Sequence, residues 1–144
     1  MPGARLLTGV PQTETWVASA VWAANAPAGT TVSVSWQRDP GQASISSIIV
    51  PGSEVWNIVD VYIQAATTVK PQVLFFADGI RQPEAADLDS ELITATARAG
   101  QFLRQPLSID ANAQLNIQAV NRVVAGGAGN TETFFIKVAR TRFK

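Results

Sequence analysis

The stretch S-S-I-I-V-P-G-S-E-V-W-N-I-V-D-V-Y-I-Q-A-A, Ser46 to Ala66, decides the fold class. It reads as a short strand, a turn at Pro51-Gly52, and then the most hydrophobic strand of the chain. From Val55 onward, Val55, Val59, Val61 and Ile63 fall on one face at period two, and Trp56, Ile58 and Tyr62 fall on the other. A strand that is apolar on both faces is expected to be covered on both. β-Branched and aromatic residues dominate it, and no Gly or Pro interrupts it, as a central strand requires.

Neighbouring segments follow the same period. Thr31 to Trp36 alternates cleanly, with Val32, Val34 and Trp36 inward and Thr31, Ser33 and Ser35 outward, and closes at the turn Arg38-Asp39-Pro40-Gly41. Thr15 to Asn25 fits two templates: Trp16, Ala20 and Ala23 have helical spacing, while Trp16, Ala18, Ala20 and Trp22 alternate as a strand. The strand reading is preferred. Residues 1–13 carry two Pro and two Gly without a sustained period and read as an extended N-terminal arm, with residues 14–144 as a single β-sandwich domain. Towards the C-terminus, Gln72 to Phe76, Phe102 to Ile109, Gln114 to Asn121 and Thr131 to Phe143 are further strands. Asp78-Gly79 is a hairpin signal. Gln82 to Gly100 breaks the rhythm. Its Pro83, Leu88, Leu92 and Ala95 have helical placement, yet Leu92 to Thr96 also reads as a strand, so one short helix within 83–97 is allowed for. The sum is an all-β chain, an antiparallel β-sandwich or jelly roll of about eight strands.

Composition narrows the chemistry. The 144 residues suffice for one domain with a sizeable core, 47% are hydrophobic and only 15% are charged. That balance is apolar for a monomer and suggests surface buried in an assembly, although a well-packed monomer has the same composition. No run approaches the ~20 apolar residues needed to span a bilayer, so no membrane span is expected. Eleven cations balance eleven carboxylates, which leaves no global field for a specific nucleic-acid partner. Histidine and cysteine are both absent, which removes disulfides, Cys/His zinc sites, thiol nucleophiles and Ser-His-Asp triads. Only carboxylate, Ser/Lys or Tyr chemistry would remain for an enzyme, and no spacing marks one, so neither a catalytic role nor a cofactor is expected.

Several clusters still merit a reading. Glu84, Asp87, Asp89 and Glu91 hold four of the eleven carboxylates. Asp87, Asp89 and Glu91 place oxygens at alternate positions, as a calcium loop does, but without the glycine and glutamate spacing of an EF-hand; a solvated loop face is the commoner explanation. Asp60 is a carboxylate inside the most apolar strand, placed at a strand end, paired with an arginine such as Arg122, or facing a subunit contact. Lys137, Arg140, Arg142 and Lys144 put four cations into eight residues, and Arg140, Arg142 and Lys144 share one side of an extended strand. They serve as an interface edge, with the acidic excursion as a possible partner, or simply guard an edge strand. Gly126-Gly127-Ala128-Gly129 lacks the Lys-Ser/Thr of a phosphate loop and reads as a flexible connection. Of the four tryptophans, Trp36 and Trp56 alternate as core residues. Trp16 and Trp22 either cap the core or reach outward, to a neighbour or a sugar face.

Three passages, Ile48 to Ala65, Gln105 to Asn121 and Thr131 to Phe143, resemble the single jelly-roll structural proteins of viruses, of the capsid, penton or capsid-decoration type. They cover about a third of the chain. The resemblance implies a virion building block with a rigid β scaffold and arms that reach neighbours. Its partners would be itself, as a homo-oligomer, and other virion shell proteins. Trp16, Trp22, Arg140, Arg142 and Lys144 are then the interface candidates. The alternative is a monomeric carbohydrate-binding β-sandwich module that uses exposed aromatics.

Overall fold

The computed structural model describes residues 7–39, 41–63, 69–82, 88–89 and 102–143, with side chains for 11–39, 41–61, 69–82 and 107–143. These residues form no helix, and eleven strands are named among them: β1 (Leu7–Trp22), β2 (Thr31–Ser33), β3 (Ser35–Gln37), β4 (Ser47–Ile49), β5 (Glu54–Ile63), β6 (Gln72–Ala77), β7 (Ile80–Arg81), β8 (Leu88–Asp89), β9 (Phe102–Ile109), β10 (Gln114–Val120) and β11 (Asn130–Phe143). Of the 83–97 excursion only the short strand β8 is described, so the allowance for a helix there lies otherwise outside the described residues.

The strands make two antiparallel sheets. The first has the order β3-β1-β11-β5-β9. In the second, β2 and β4 pair along one side of β10, β6 pairs along the other, and β7 and β8 share the far edge of β6. Setting aside the short pieces β3 and β4 leaves β1-β11-β5-β9 facing β2-β10-β6-β7/β8. The first strand pairs with the last, and the chain crosses between sheets as it is followed inward from either end. This is the wrapping of a jelly roll.

Period-two alternation explains why these segments are strands, and the sheet crossings refine what it predicts. The expected single strand from Thr31 to Trp36 is two. The chain leaves the second sheet after β2, passes Val34, and enters the first as β3. Both sheets face one core, so Val34 and Trp36 are buried and Val32 packs against them across the switch. Likewise, the turn at Pro51-Gly52 does not close a hairpin. It carries the chain from β4 in the second sheet to β5 in the first, and Asp110 to Asn112 does the same between β9 and β10. The two arches lie side by side, with the Val50 N–H donating to the Ala113 carbonyl at 2.9 Å and the Asn112 N–H to the Val50 carbonyl at 2.9 Å. Asp78-Gly79 is a true hairpin turn between β6 and β7, with φ of 51° and 76°, the left-handed pair that a two-residue loop needs.

Strand β5 is interior to its sheet, between β11 and β9. Its alternation breaks at one point. Ile58 opposes Val138 and Asp60 opposes Lys137, so Val59 is the extra residue of a bulge. As a result Trp56, Ile58 and Val61 all face the core, although Val61 has the opposite parity. Strand β1 starts earlier than the sequence suggests. Leu7 to Thr13, read there as arm, already run beside β11, with a register shift between Thr8 and Gln12. The core is aromatic at its centre: Trp16, Trp36, Trp56, Phe75 and Phe134 are fully buried. Trp16 stacks on Trp36 at 5.7 Å between ring centroids and meets Trp56 edge-on at 5.5 Å.

Candidate functional site

Four inward-facing charges close one end of this aromatic core. Glu14 precedes Trp16 by two residues on β1, Glu54 precedes Trp56 by two on β5, Arg38 follows Trp36 by two beyond β3, and Arg140 lies opposite Trp56 on β11. Period two places each charge on the same face as its tryptophan, one step nearer the end of the sandwich. The Trp16 Nε1–H donates to Glu14 Oε1 at 2.8 Å, and the Trp56 Nε1–H to Glu54 Oε2 at 3.0 Å. Arg140 joins the two carboxylates: its Nη2 donates to both Glu54 oxygens at 2.7 and 2.9 Å, and its Nη1 to Glu14 Oε2 at 3.3 Å. Arg38 Nε reaches Glu14 Oε1 at 3.2 Å. The guanidinium carbons of Arg38 and Arg140 lie 5.0 and 5.4 Å from the Trp56 ring centroid, within cation–π range.

Electrostatics follow from that geometry. Burial by itself would raise the Glu54 carboxyl, but the hydrogen bonds from Trp56 and Arg140 and the charges of Arg140 and Arg142 outweigh it and hold the group below its usual range. Burial would likewise lower Arg140, and the Glu54 and Glu14 carboxylates reverse the sign. Glu54 is therefore held as a carboxylate rather than as a protonated donor. The chemistry of the cluster is that of a clamp, in which carboxylates, guanidiniums and ring faces hold one another, while the Arg140 Nε and the Trp36 Nε1 stay buried without a hydrogen-bond partner.

The interface candidates divide. Trp16 and Trp22 are 0% and 1% exposed, so neither reaches a neighbour or stacks on a sugar. Trp22 instead donates from Nε1 to the Thr30 carbonyl at 2.9 Å. Arg140 is spent inside the fold. Arg142 is the open one: its side chain is 72% exposed and its Nε lies 3.6 Å from Glu54 Oε1. Lys144, Asp87 and Glu91 lie outside the described residues, and Asp89 is placed only as part of β8 opposite Gln72. No group of three or more potential ligands able to hold a metal is found among the described residues.

Asp60 is neither at a strand end nor beside Arg122. It sits at the β5 bulge opposite Lys137, fully buried, with no hydrogen-bond partner for either carboxylate oxygen. Burial raises its carboxyl, and the nearby Val61 backbone amide, which falls short of hydrogen-bond geometry, and the Lys137 charge offset that only in part. The glycine-rich connection, expected to be flexible, is a hydrogen-bonded turn. The Gly129 N–H donates to the Gly126 carbonyl at 2.9 Å and the Gly126 N–H to Asn130 Oδ1 at 2.7 Å. Gly129 is required there, because its φ is +78° and a Cβ would stand 2.6 Å from the Trp22 carbonyl oxygen.

Sequence reasoning missed the clamp and its counterpart at the other end, Asn121. That amide accepts from the Thr30 N–H at 2.7 Å and donates to the carbonyls of Pro27 at 3.1 Å and Val123 at 3.0 Å. A signal for the clamp was present in E-T-W, W-Q-R and E-V-W, three tryptophans each with a charge two residues away. No family model and no curated protein matches this chain.

Proposed function

We propose that the protein is a structural component of a virion shell, of the capsid, penton or decoration type, that works by self-association. The jelly-roll strand order carries the reading, by analogy of architecture, since this wrapping recurs in capsid domains. Two features support it. The chain brings no histidine or cysteine and few charges, which suits a scaffold better than a site of group transfer. All four tryptophans are buried, which removes the aromatic platform on which the carbohydrate-binding alternative rested. Function would then reside in surfaces rather than in a cleft, with copies of the chain and other shell proteins as partners. Light scattering on a size-exclusion column tests this directly. A stable trimer, pentamer or larger particle is expected; a 15.3 kDa monomer at every concentration overturns it.

A further inference from the structure

We propose that Asp60 is a proton-operated latch on the edge strand β9: with its carboxyl neutral the start of β9 lies closed against β5, and with its carboxyl ionised that segment lifts away. The latch is independent of self-association and would work in a lone subunit. The ladders on both sides of β5 break at this residue. From Ile58 to Asp60 the strand advances two residues, while β11 advances one, from Val138 to Lys137, and β9 advances five, from Leu107 to Phe102. Leu103 to Pro106 therefore have no register partner on β5, and Pro106 has no N–H to offer one. β9 is also the last strand of its sheet. Among the described residues, then, the segment from Phe102 to Pro106 can part from β5 without breaking any other pairing.

At that loosely paired point the closed sheet leaves a carboxyl without partners. Asp60 is 0% exposed, and neither of its oxygens has a hydrogen bond. The charged group that faces it from β11 is Lys137, half-buried and directly opposite in register, yet not close enough to bond either oxygen. From β9 the register partner is the apolar Phe102, with Arg104 in the unpaired stretch. On β5 the nearest titratable neighbour is Tyr62. A buried carboxyl without donors favours its neutral form, because the ionised form needs water or a bonded cation. Opening β9 admits water and gives the Lys137 ammonium room to reach the carboxylate. The sign follows from burial, which raises the Asp60 carboxyl. The closed edge is fully held below the ordinary value of 3.8 and is lost as the pH rises through the raised one.

Amide hydrogen exchange read by NMR from about pH 4 to about pH 8, corrected for the intrinsic rate at each pH, tests the latch. The amides of residues 60–63 and 102–105 are expected to lose about tenfold or more in protection across this range, relative to those of β10. A change shared by β10 would be global and is removed by that comparison. Asp60→Asn should keep the acid-state protection at every pH. Protection that stays flat in the wild type, or that falls equally in Asp60→Asn, overturns the latch. Should the variant fail to fold, the carbon-13 shift of the wild-type Asp60 carboxyl decides the matter. A midpoint above 3.8 that tracks the loss of protection is expected, and a midpoint at or below 3.8 overturns the proposal.

Discussion

At one end of the sandwich the core is closed by Glu14, Arg38, Glu54 and Arg140, a mesh of charges over Trp56; at the other it is closed by the neutral amide of Asn121. Both ends solve the same problem. Strands stop, their last inward side chains would leave the tryptophans open to water, and backbone groups of the connections need partners. The amide end does this with hydrogen bonds to the main chain, which tie the 25–30 loop to the 121–130 loop. The charged end does it with side chains on strands. A buried ion pair gains little over an apolar pair of the same shape, yet breaking one is costly because a lone charge stays behind. The charged end is therefore the more fragile of the two to single changes, and it responds to acid through Glu54.

That contrast can be broken at its strongest point. Arg140→Ala should cost about 3–5 kcal/mol in chemical denaturation, because Glu54 is left buried beside an indole. Arg140→Met combined with Glu54→Gln should recover most of it. A small loss for Arg140→Ala alone would mean that the clamp is solvated. Acid acts through the same group. The Glu54 carboxyl is depressed, so its contribution is present above the ordinary carboxylate value of 4.5 and is lost as the pH falls below it. Glu54→Gln should flatten that acid slope.

Asn121→Ala should cost about 2–3 kcal/mol by leaving the Thr30 N–H and two or three carbonyls without their partner, and this loss should be the same at pH 5 and pH 8. A pH-dependent loss would erase the distinction between the ends. Asp60 lies between them and carries the opposite sign. Its carboxyl is raised, so the buried charge opposes folding at neutral pH, and the penalty disappears below its ordinary value of 3.8. Asp60→Asn should stabilise the protein at pH 7 by about 1 kcal/mol and do nothing near pH 3, as read from paired thermal melts. The smallest effect belongs to Arg38, whose side chain is 23% exposed: Arg38→Gln should cost about 0.2–1 kcal/mol and be sensitive to salt.

The strands were legible because alternation is a local property. Trp36, Ile58, Ile117 and Ile136 each declare their inward face within a few residues. Which sheet a strand joins is not local. Val32, Val34 and Trp36 keep one parity across a change of sheet, since both sheets look onto the same core. Pro51-Gly52 has the chemistry of a hairpin turn but builds an arch. The bulge at Val59 was hidden too, because Val59, Asp60 and Val61 give no glycine or proline to mark it. The clamp was half visible. Each tryptophan's charged neighbour can be read two residues away, but Arg140 meets Glu54 across 86 residues, and the reading of Arg140 as an interface residue came from seeing its strand in isolation. Trp16 and Trp22 were placed correctly by alternation and misplaced only where surface roles were considered.

The position of β11 has a consequence for how the molecule is made. It is inserted between β1 and β5, so the middle of the first sheet is missing until residues 130–143 have been synthesised. Until then β1 and β5 hold long unpaired edges, of the kind that recruit strands from other molecules. Its pairing with β1 also closes the widest loop in the sequence, a slow step by topology alone. A ribosome-bound chain stalled before Asn130 would present half a sheet, and a version that lost β11 would be an aggregation-prone fragment, not a smaller copy of the fold.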